Sequence, residues 1–190
     1  MKSLVFVTGN PYKLEVAKSS LTAIGYEVVQ EKLETPEIQS SDVSEIASYS
    51  AKWAADKLGK PVVLMDAGYY IEVLNGFPGP FIKYVNQWLT SDDLLNLMRN
   101  KTNRKVVVKG ALSYCEPGKE PITFESKWEG NVAFQAVKTE KPGTTPINEI
   151  FIPLGYEKVE SEISREEMVK FWAKSETYWK KLVKYLANEQ

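Results

Sequence analysis

The chain has 190 residues, 43% of them hydrophobic, and its 24 basic and 25 acidic side chains leave a net charge of −1. That is enough for one well-buried core, whole or divided into two lobes, and it gives no general electrostatic attraction to nucleic acid or an anionic membrane. Histidine is absent, which excludes Ser-His-Asp and Cys-His hydrolysis, histidine-ligated zinc and imidazole acid–base chemistry; catalysis would have to use carboxylates, lysines, hydroxyls or an oxygen-liganded metal such as magnesium or manganese.

The run Leu4-Val5-Phe6-Val7 reads as a strand that stops at Thr8-Gly9-Asn10-Pro11-Tyr12-Lys13. From Leu14 the apolar residues Val16, Ala17, Leu21 and Ile24 fall at the spacing of one helix face. Lys13 then sits in the first helical turn. A cation there opposes the positive end of the helix dipole, so its placement makes sense if an anion binds nearby. Gly9 allows close backbone approach, and Thr8 and Asn10 supply short polar groups. Residues 26–30 read as a strand and 31–41 as a polar connection containing Pro36. Asp42 with Glu45 resembles a capping box. The helix it opens carries the stripe Val43, Ile46, Ala47, Ser50, Ala54 and Leu58, stops at Gly59, and places Lys52 opposite the stripe. Residues 61–65 form a continuous apolar run that delivers Asp66 at the strand's end, where ligands gather in α/β sheets and a carboxylate needs a partner.

The turn-rich segment Asn75-Gly76-Phe77-Pro78-Gly79-Pro80 precedes a helix that Pro80 opens and that reaches about Leu89, with Lys83 in its first turn. Another helix starts at Ser91, its N-terminal dipole complemented by Asp92 and Asp93. The period then changes. Residues 105–115, 121–128 and 131–137 read as strands, the first two joined by a turn at Glu116-Pro117-Gly118-Lys119, and 150–152 as a further short one. Cys115, the single cysteine, excludes an intrachain disulfide and reads as a small core residue. Glu72 reads as an outward strand residue, and Tyr69, Trp88, Trp128 and Phe151 as core or as aromatic platforms. A capping box at Ser164 and Glu167 opens a C-terminal segment of one long helix, or two with a break near Ser175. Its lysines read as a solvated face. No apolar stretch of membrane-spanning length and no charged-then-apolar leader is visible, so the expected location is the cytoplasm.

Thr8-Gly9-Asn10 with Lys13 and Glu15, then Pro36-Glu37, then Asp66-Ala67-Gly68, then Leu74-Asn75-Gly76-Phe77-Pro78-Gly79-Pro80-Phe81-Ile82-Lys83-Tyr84 form an ordered set. In order and spacing this set, across roughly residues 3–137, resembles the inosine triphosphate pyrophosphatase family. Ile150-Phe151-Ile152-Pro153 and Gly155-Tyr156-Glu157-Lys158 continue the likeness more weakly. The resemblance implies an α/β fold with an elongated mixed β-sheet flanked by helices, two lobes with a central nucleotide cleft within one domain over 1–190, and a homodimer. It also implies cleavage of a nucleoside triphosphate between its α- and β-phosphates, with magnesium, or alternatively manganese. Carried onto this sequence, the catalytic residues are Asp66 and Lys13. Thr8, Gly9, Asn10, Lys13, Lys52, Gly68 and Lys83 bind substrate, and Glu37 and Asp66 hold the metal, with Asp66 alternatively orienting the attacking water. At an effective dielectric near 20, each close lysine–phosphate pair is worth ~4 kcal/mol before desolvation.

Three positions depart from the family's pattern. Met65 stands where many members have an acidic residue. Thr144-Thr145-Pro146-Ile147-Asn148-Glu149 replaces a Phe-Gly-Tyr-Asp-Pro segment that orients the base. Ser175-Glu176-Thr177 is the nearest counterpart of a base-recognising Ser-His-Arg motif. The last two remove donors that would reward a keto base, so the expectation is an altered or relaxed base preference. The alternative is a catalytically impaired nucleotide-binding or interaction protein on the same fold.

Overall fold

In the computed structural model Lys2–Val7 forms β1, which is followed by α1 (Pro11–Leu21), β2 (Tyr26–Glu31), α2 (Val43–Leu58) and β3 (Val62–Ile71). The structure describes residues 2–22, 25–173 and 178–188. β1 pairs in parallel with β2 from Lys2↔Tyr26 to Val7↔Glu31, and with β3 from Val5↔Val62 to Val7↔Leu64. A strand flanked by parallel partners on both sides is buried on both faces, which is why Leu4, Val5, Phe6 and Val7 are continuously apolar. Phe6 is fully buried and meets Trp179 edge-on, their ring centroids 5.4 Å apart.

Further along the chain lie β4 (Pro78–Gly79), α3 (Ile82–Trp88), α4 (Ser91–Leu97), β5 (Lys105–Cys115), β6 (Ile122–Val132), β7 (Phe151–Pro153), α5 (Arg165–Trp172) and α6 (Tyr178–Asn188). The strand order is β2-β1-β3-β5-β6-β7, with β4 on β3. Parallel pairs at β1 and antiparallel pairs at β3–β4 and β6–β7 make the sheet mixed, and the fold is α/β.

The chain divides into two compact units, one comprising 1–66, 110–126 and 169–190, the other 67–109 and 127–168. In the first, α1 contacts both β2 and α6. Its buried face is Val16, Ala17 and Leu21, while the expected Ile24 lies outside the described residues. α2 is capped by Asp42, whose side chain accepts the Ser44 N–H at 2.8 Å, and ends at Gly59 with φ 64°. The expected Asp42–Glu45 box takes a different form, because the Glu45 carboxylate accepts the Ser40 hydroxyl at 2.7 Å. In the second unit, α4 carries a reciprocal capping box between Thr90 and Asp93. Gly130 is fixed by packing, since a Cβ there would lie 2.4 Å from both the Ile152 carbonyl and the Phe151 ring.

Several expected boundaries move, each for a local reason. β3 continues to Ile71 because Tyr69 and Tyr70 pair with Gly79 and Pro78; Asp66 therefore lies within a strand rather than at its end. The same pairing holds Pro78 and Gly79 in β4, and a turn through Pro80 follows, the Phe81 N–H being donated to the Pro78 carbonyl at 3.2 Å, so α3 starts only at Ile82. Glu72 belongs to a 3₁₀ turn at Glu72–Leu74, where it accepts a hydrogen bond from Asn103. β6 absorbs Asn131 and Val132, but its pairing with β7 ends at Val132↔Phe151, and beyond it 133–137 are irregular, with Phe134 largely exposed. At the C-terminus there are two helices, and Ser175 lies outside the described residues. No helix among the described residues is long and apolar enough to cross a membrane.

Candidate functional site

The parallel strands of the first unit bring the loop after β1 to the level of Met65 on β3. β1 stops at Val7 opposite Leu64, so the loop Thr8-Gly9-Asn10 begins where β3 still has Met65 and Asp66 to run. At a strand rise near 3.3 Å, Asp66 lies about 6–7 Å beyond the last β1 pair. This is the carboxyl edge of the parallel β1–β3 pair, the side on which open α/β sheets bind their ligands.

The loop is tightly tied. Thr8 donates its N–H to the Glu31 carbonyl at 3.0 Å and accepts the Gln30 amide on its own carbonyl at 2.9 Å. Asn10 caps α1, its Oδ1 accepting the N–H groups of Tyr12 at 2.9 Å and Lys13 at 3.4 Å, while its own N–H is donated to the Thr8 hydroxyl. Pro11 has no N–H, and that of Leu14 goes to the Asn10 carbonyl. Asn10 thus accepts the N–H groups of Tyr12, Lys13 and Leu14, and the cationic group the turn offers is the Lys13 ammonium. That ammonium donates to the Met65 carbonyl at 3.3 Å, beside Asp66. Both Lys13 and Asp66 are half-buried.

Gly9 and Gly68 part company. A Cβ on Gly9 would meet nothing within 4 Å, so the protein's own packing does not require glycine there. A Cβ on Gly68 would lie 2.6 Å from the Gly79 carbonyl carbon and oxygen and 2.8 Å from the Pro80 nitrogen. The glycine at 68 is thus explained by the close approach of β4.

Lys52 lies on α2 and pairs with Glu120, which follows the β5–β6 turn. The Glu120 carboxylate, through its hydrogen bond first, holds the Lys52 ammonium above its ordinary pKa. Glu37 is exposed in the connection between β2 and α2, and its neighbour Pro36 is pinned to α2 by the buried Ser50 hydroxyl at 3.1 Å. Lys83 is exposed in the first turn of α3, its ammonium 5.6 Å from the Tyr84 ring. Among the described residues no group of three or more Cys, Asp or Glu side chains stands ready to hold a metal ion. Two carboxylates with hard oxygen donors still fit magnesium, which keeps water and takes phosphate oxygens for the rest of its shell.

The structure also brings in groups the sequence reading did not single out. The Met65 thioether faces the hydroxyl of Tyr178 at 3.8 Å, and burial pushes that phenol's pKa well up. Successive strand residues point to opposite faces, so the Met65 side chain and the Asp66 carboxylate diverge. In the second unit, the segment that stands in place of the family's base-orienting one is a closed polar turn. Asn148 Oδ1 accepts the Thr145 N–H at 2.9 Å and hydroxyl at 2.7 Å, and its Nδ2 donates to Glu160 at 2.8 Å. The Tyr69 hydroxyl reaches the same Glu160 oxygen at 3.3 Å, and Tyr69 packs edge-on against Phe151. Tyr69 and Phe151 are thus packing partners, and Trp128 is buried, whereas Trp88 is exposed and stacks on Tyr84. Ser175, Glu176 and Thr177 lie outside the described residues.

Comparison with known proteins gives a consistent picture. The Ham1 family model matches residues 4–180. A protein of Methanopyrus kandleri named dITP/XTP pyrophosphatase is 40% identical over 167 residues, covering 88% of this chain and 87% of the relative. One of the same name from Methanosarcina acetivorans is 40% identical over 149 residues, 78% of this chain and 81% of the relative. Among solved structures, a HAM1 protein from Coxiella burnetii superposes with a TM-score of 0.79 at 20% identity, covering 99% of this chain and all of that one.

Proposed function

The chain belongs to the Ham1 family, and from that premise we propose that it hydrolyses non-standard nucleoside triphosphates to nucleoside monophosphate and pyrophosphate. The names of the relatives support the substrate class. The geometric observation that carries the reading is the Lys13 ammonium on the Met65 carbonyl, which sets a cation beside Asp66 where β1 ends.

In this reading water attacks the α-phosphorus, the bond from that phosphorus to the bridging oxygen breaks, and the pair of electrons leaves with pyrophosphate. Asp66 orients the water and takes its proton. Lys13, with Lys52 and Lys83, offsets the charge of the polyphosphate, and Thr8, Gly9, Asn10 and Gly68 line its approach. Glu37 and Asp66 would hold magnesium, or manganese in its place, which supplies charge neutralisation on the departing pyrophosphate. The base preference is altered or relaxed, because the Thr145–Asn148 turn spends its polar groups on Glu160 and on itself. A panel of standard and non-standard triphosphates, assayed for pyrophosphate with magnesium, tests the activity. Asp66→Asn is expected to lower kcat by at least about 10²-fold with the fold intact, and an unchanged rate would remove Asp66 from the mechanism.

A second reading, a nucleotide-binding protein with impaired catalysis, is favoured by Met65, whose side chain is engaged with Tyr178. Tight nucleotide binding without turnover across the panel would select it. The reading also includes a homodimer in the cytoplasm, without nucleic acid or membrane as partner. Phe81, Tyr84 and Trp88 expose 44, 38 and 74% of their surfaces at successive turns of one helical segment, an apolar strip that a second copy would cover. Sedimentation of the protein and of Trp88→Glu tests this, the variant being expected as a monomer.

A further inference from the structure

The β5–β6 hairpin is tethered to α2 from that helix's first turn to its last. The Ser44 hydroxyl donates to Glu125 at 2.6 Å, Lys52 pairs with Glu120, and the Asp56 carboxylate accepts the Gly118 N–H at 2.8 Å. Two of these contacts are local stitching. The third is different, because Lys52 is one of the cations assigned to the polyphosphate and its partner is a carboxylate. Glu120 offers the ammonium what a phosphate oxygen would offer, a single negatively charged acceptor at hydrogen-bond distance.

Exposure decides how firmly that partner is held. The side chain of Lys52 is 43% exposed and that of Glu120 84%. An ion pair so open to water is weak and readily exchanged, whereas a triphosphate brings several charges to the same ammonium.

We propose that Glu120 is a built-in competitor for the polyphosphate: it holds Lys52 in the nucleotide-free protein and is displaced when the triphosphate binds. The inference rests on the reading that Lys52 contacts the phosphates, and it adds a determinant of substrate affinity on an element that carries no other part of the site. Displacement breaks only the ion pair, since the hairpin keeps its tethers at Ser44 and Asp56.

The test is steady-state kinetics on xanthosine triphosphate, together with calorimetry of inorganic tripolyphosphate, for the full chain and its Glu120→Gln variant. Removing the charge should lower KM about two- to fivefold at unchanged kcat, and tighten tripolyphosphate binding by the same factor. The difference should shrink in 0.5 M salt, because both side chains are open to solvent and exposed ion pairs weaken as counterions compete. Ser44→Ala, which loosens the hairpin without touching Lys52, should leave KM where it was. A KM that is unchanged or raised in Glu120→Gln overturns the proposal, as does a Ser44→Ala effect equal to it. If the unaltered protein cleaves nothing in the panel, the proposed activity fails separately. Tripolyphosphate affinity then decides alone, and equal affinities, or no binding to either protein, overturn the competitor.

Discussion

The side-chain ammonium of Lys13 lies 3.3 Å from the main-chain carbonyl oxygen of Met65, the residue immediately before Asp66. The contact joins the first turn of α1 to the part of β3 that runs on past the end of β1. It requires a hydrogen-bond donor at the tip of residue 13 and places no demand on the side chain at 65.

Lys13→Met keeps the length of the stem and removes the charge. If Lys13 stabilises negative charge on the phosphates, kcat/KM should fall by about 10²–10³-fold. The lysine is half-buried, and losing its hydrogen bond to the Met65 carbonyl should cost about 1–2 kcal/mol of stability. Pyrophosphate release assays and urea titration separate the two effects; a rate within threefold of the unaltered protein would remove Lys13 from the site.

Gly9 and Gly68 make an opposed pair. The space around Gly9 accepts a methyl group without contact, so Gly9→Ala should leave the melting temperature nearly unchanged. Its effect should appear as a raised KM if the loop closes on phosphate. Gly68→Ala drives a Cβ into the Gly79 and Pro80 backbone, and overpacking of this kind costs about 1–3 kcal/mol, or about 2–12 °C in a chain of this size. Calorimetric scans that ranked the two the other way would contradict both assignments.

Cys115 is 1% exposed, and burial pushes its thiol pKa up. A thiol raised in this way is mostly protonated even at mildly alkaline pH and is unreactive. Iodoacetamide at pH 8 should therefore label the native protein at least about tenfold more slowly than the urea-unfolded chain, as read by intact mass. Rapid labelling of the folded state would show the β5 end to be open.

What was legible in the sequence follows from locality. The run ending at Val7, the helix that places Lys13 in its first turn, the Gly59 stop and the helix start at Ser91 each depend on a few adjacent residues, and the elements lie close to where those signals put them. The extension of β3 past Asp66 depends on pairing with Pro78 and Gly79, and the end of β6 on pairing with a three-residue strand some twenty positions away. No local pattern carries that information. The same holds for the site: the residue types at 13 and 66 were readable, but the Met65 carbonyl as the acceptor for Lys13 is a main-chain group that has no signature in sequence. Glu120 escaped for a related reason, since one glutamate in an exposed turn is unremarkable until Lys52 is set against it.

The Asn148–Glu160 contact yields the last expectation. At 2.8 Å an amide donor faces a carboxylate that also receives the Tyr69 hydroxyl. Asn148→Asp would replace the donor with a second negative charge at the same distance, losing a hydrogen bond to a charged group and adding repulsion. The variant should be destabilised by about 2–4 kcal/mol at pH 7. One of the two carboxylates should take up a proton to relieve the clash, so its folded pKa is raised above the unfolded value. For such a group the folded state binds more protons, and stability recovers as pH falls toward the unfolded carboxylate value near 4. Glu160→Gln placed beside Asn148→Asp removes the opposing charge, so the double variant should regain most of the loss. A strictly additive cycle, with no coupling between 148 and 160, would show that the turn does not depend on this pair.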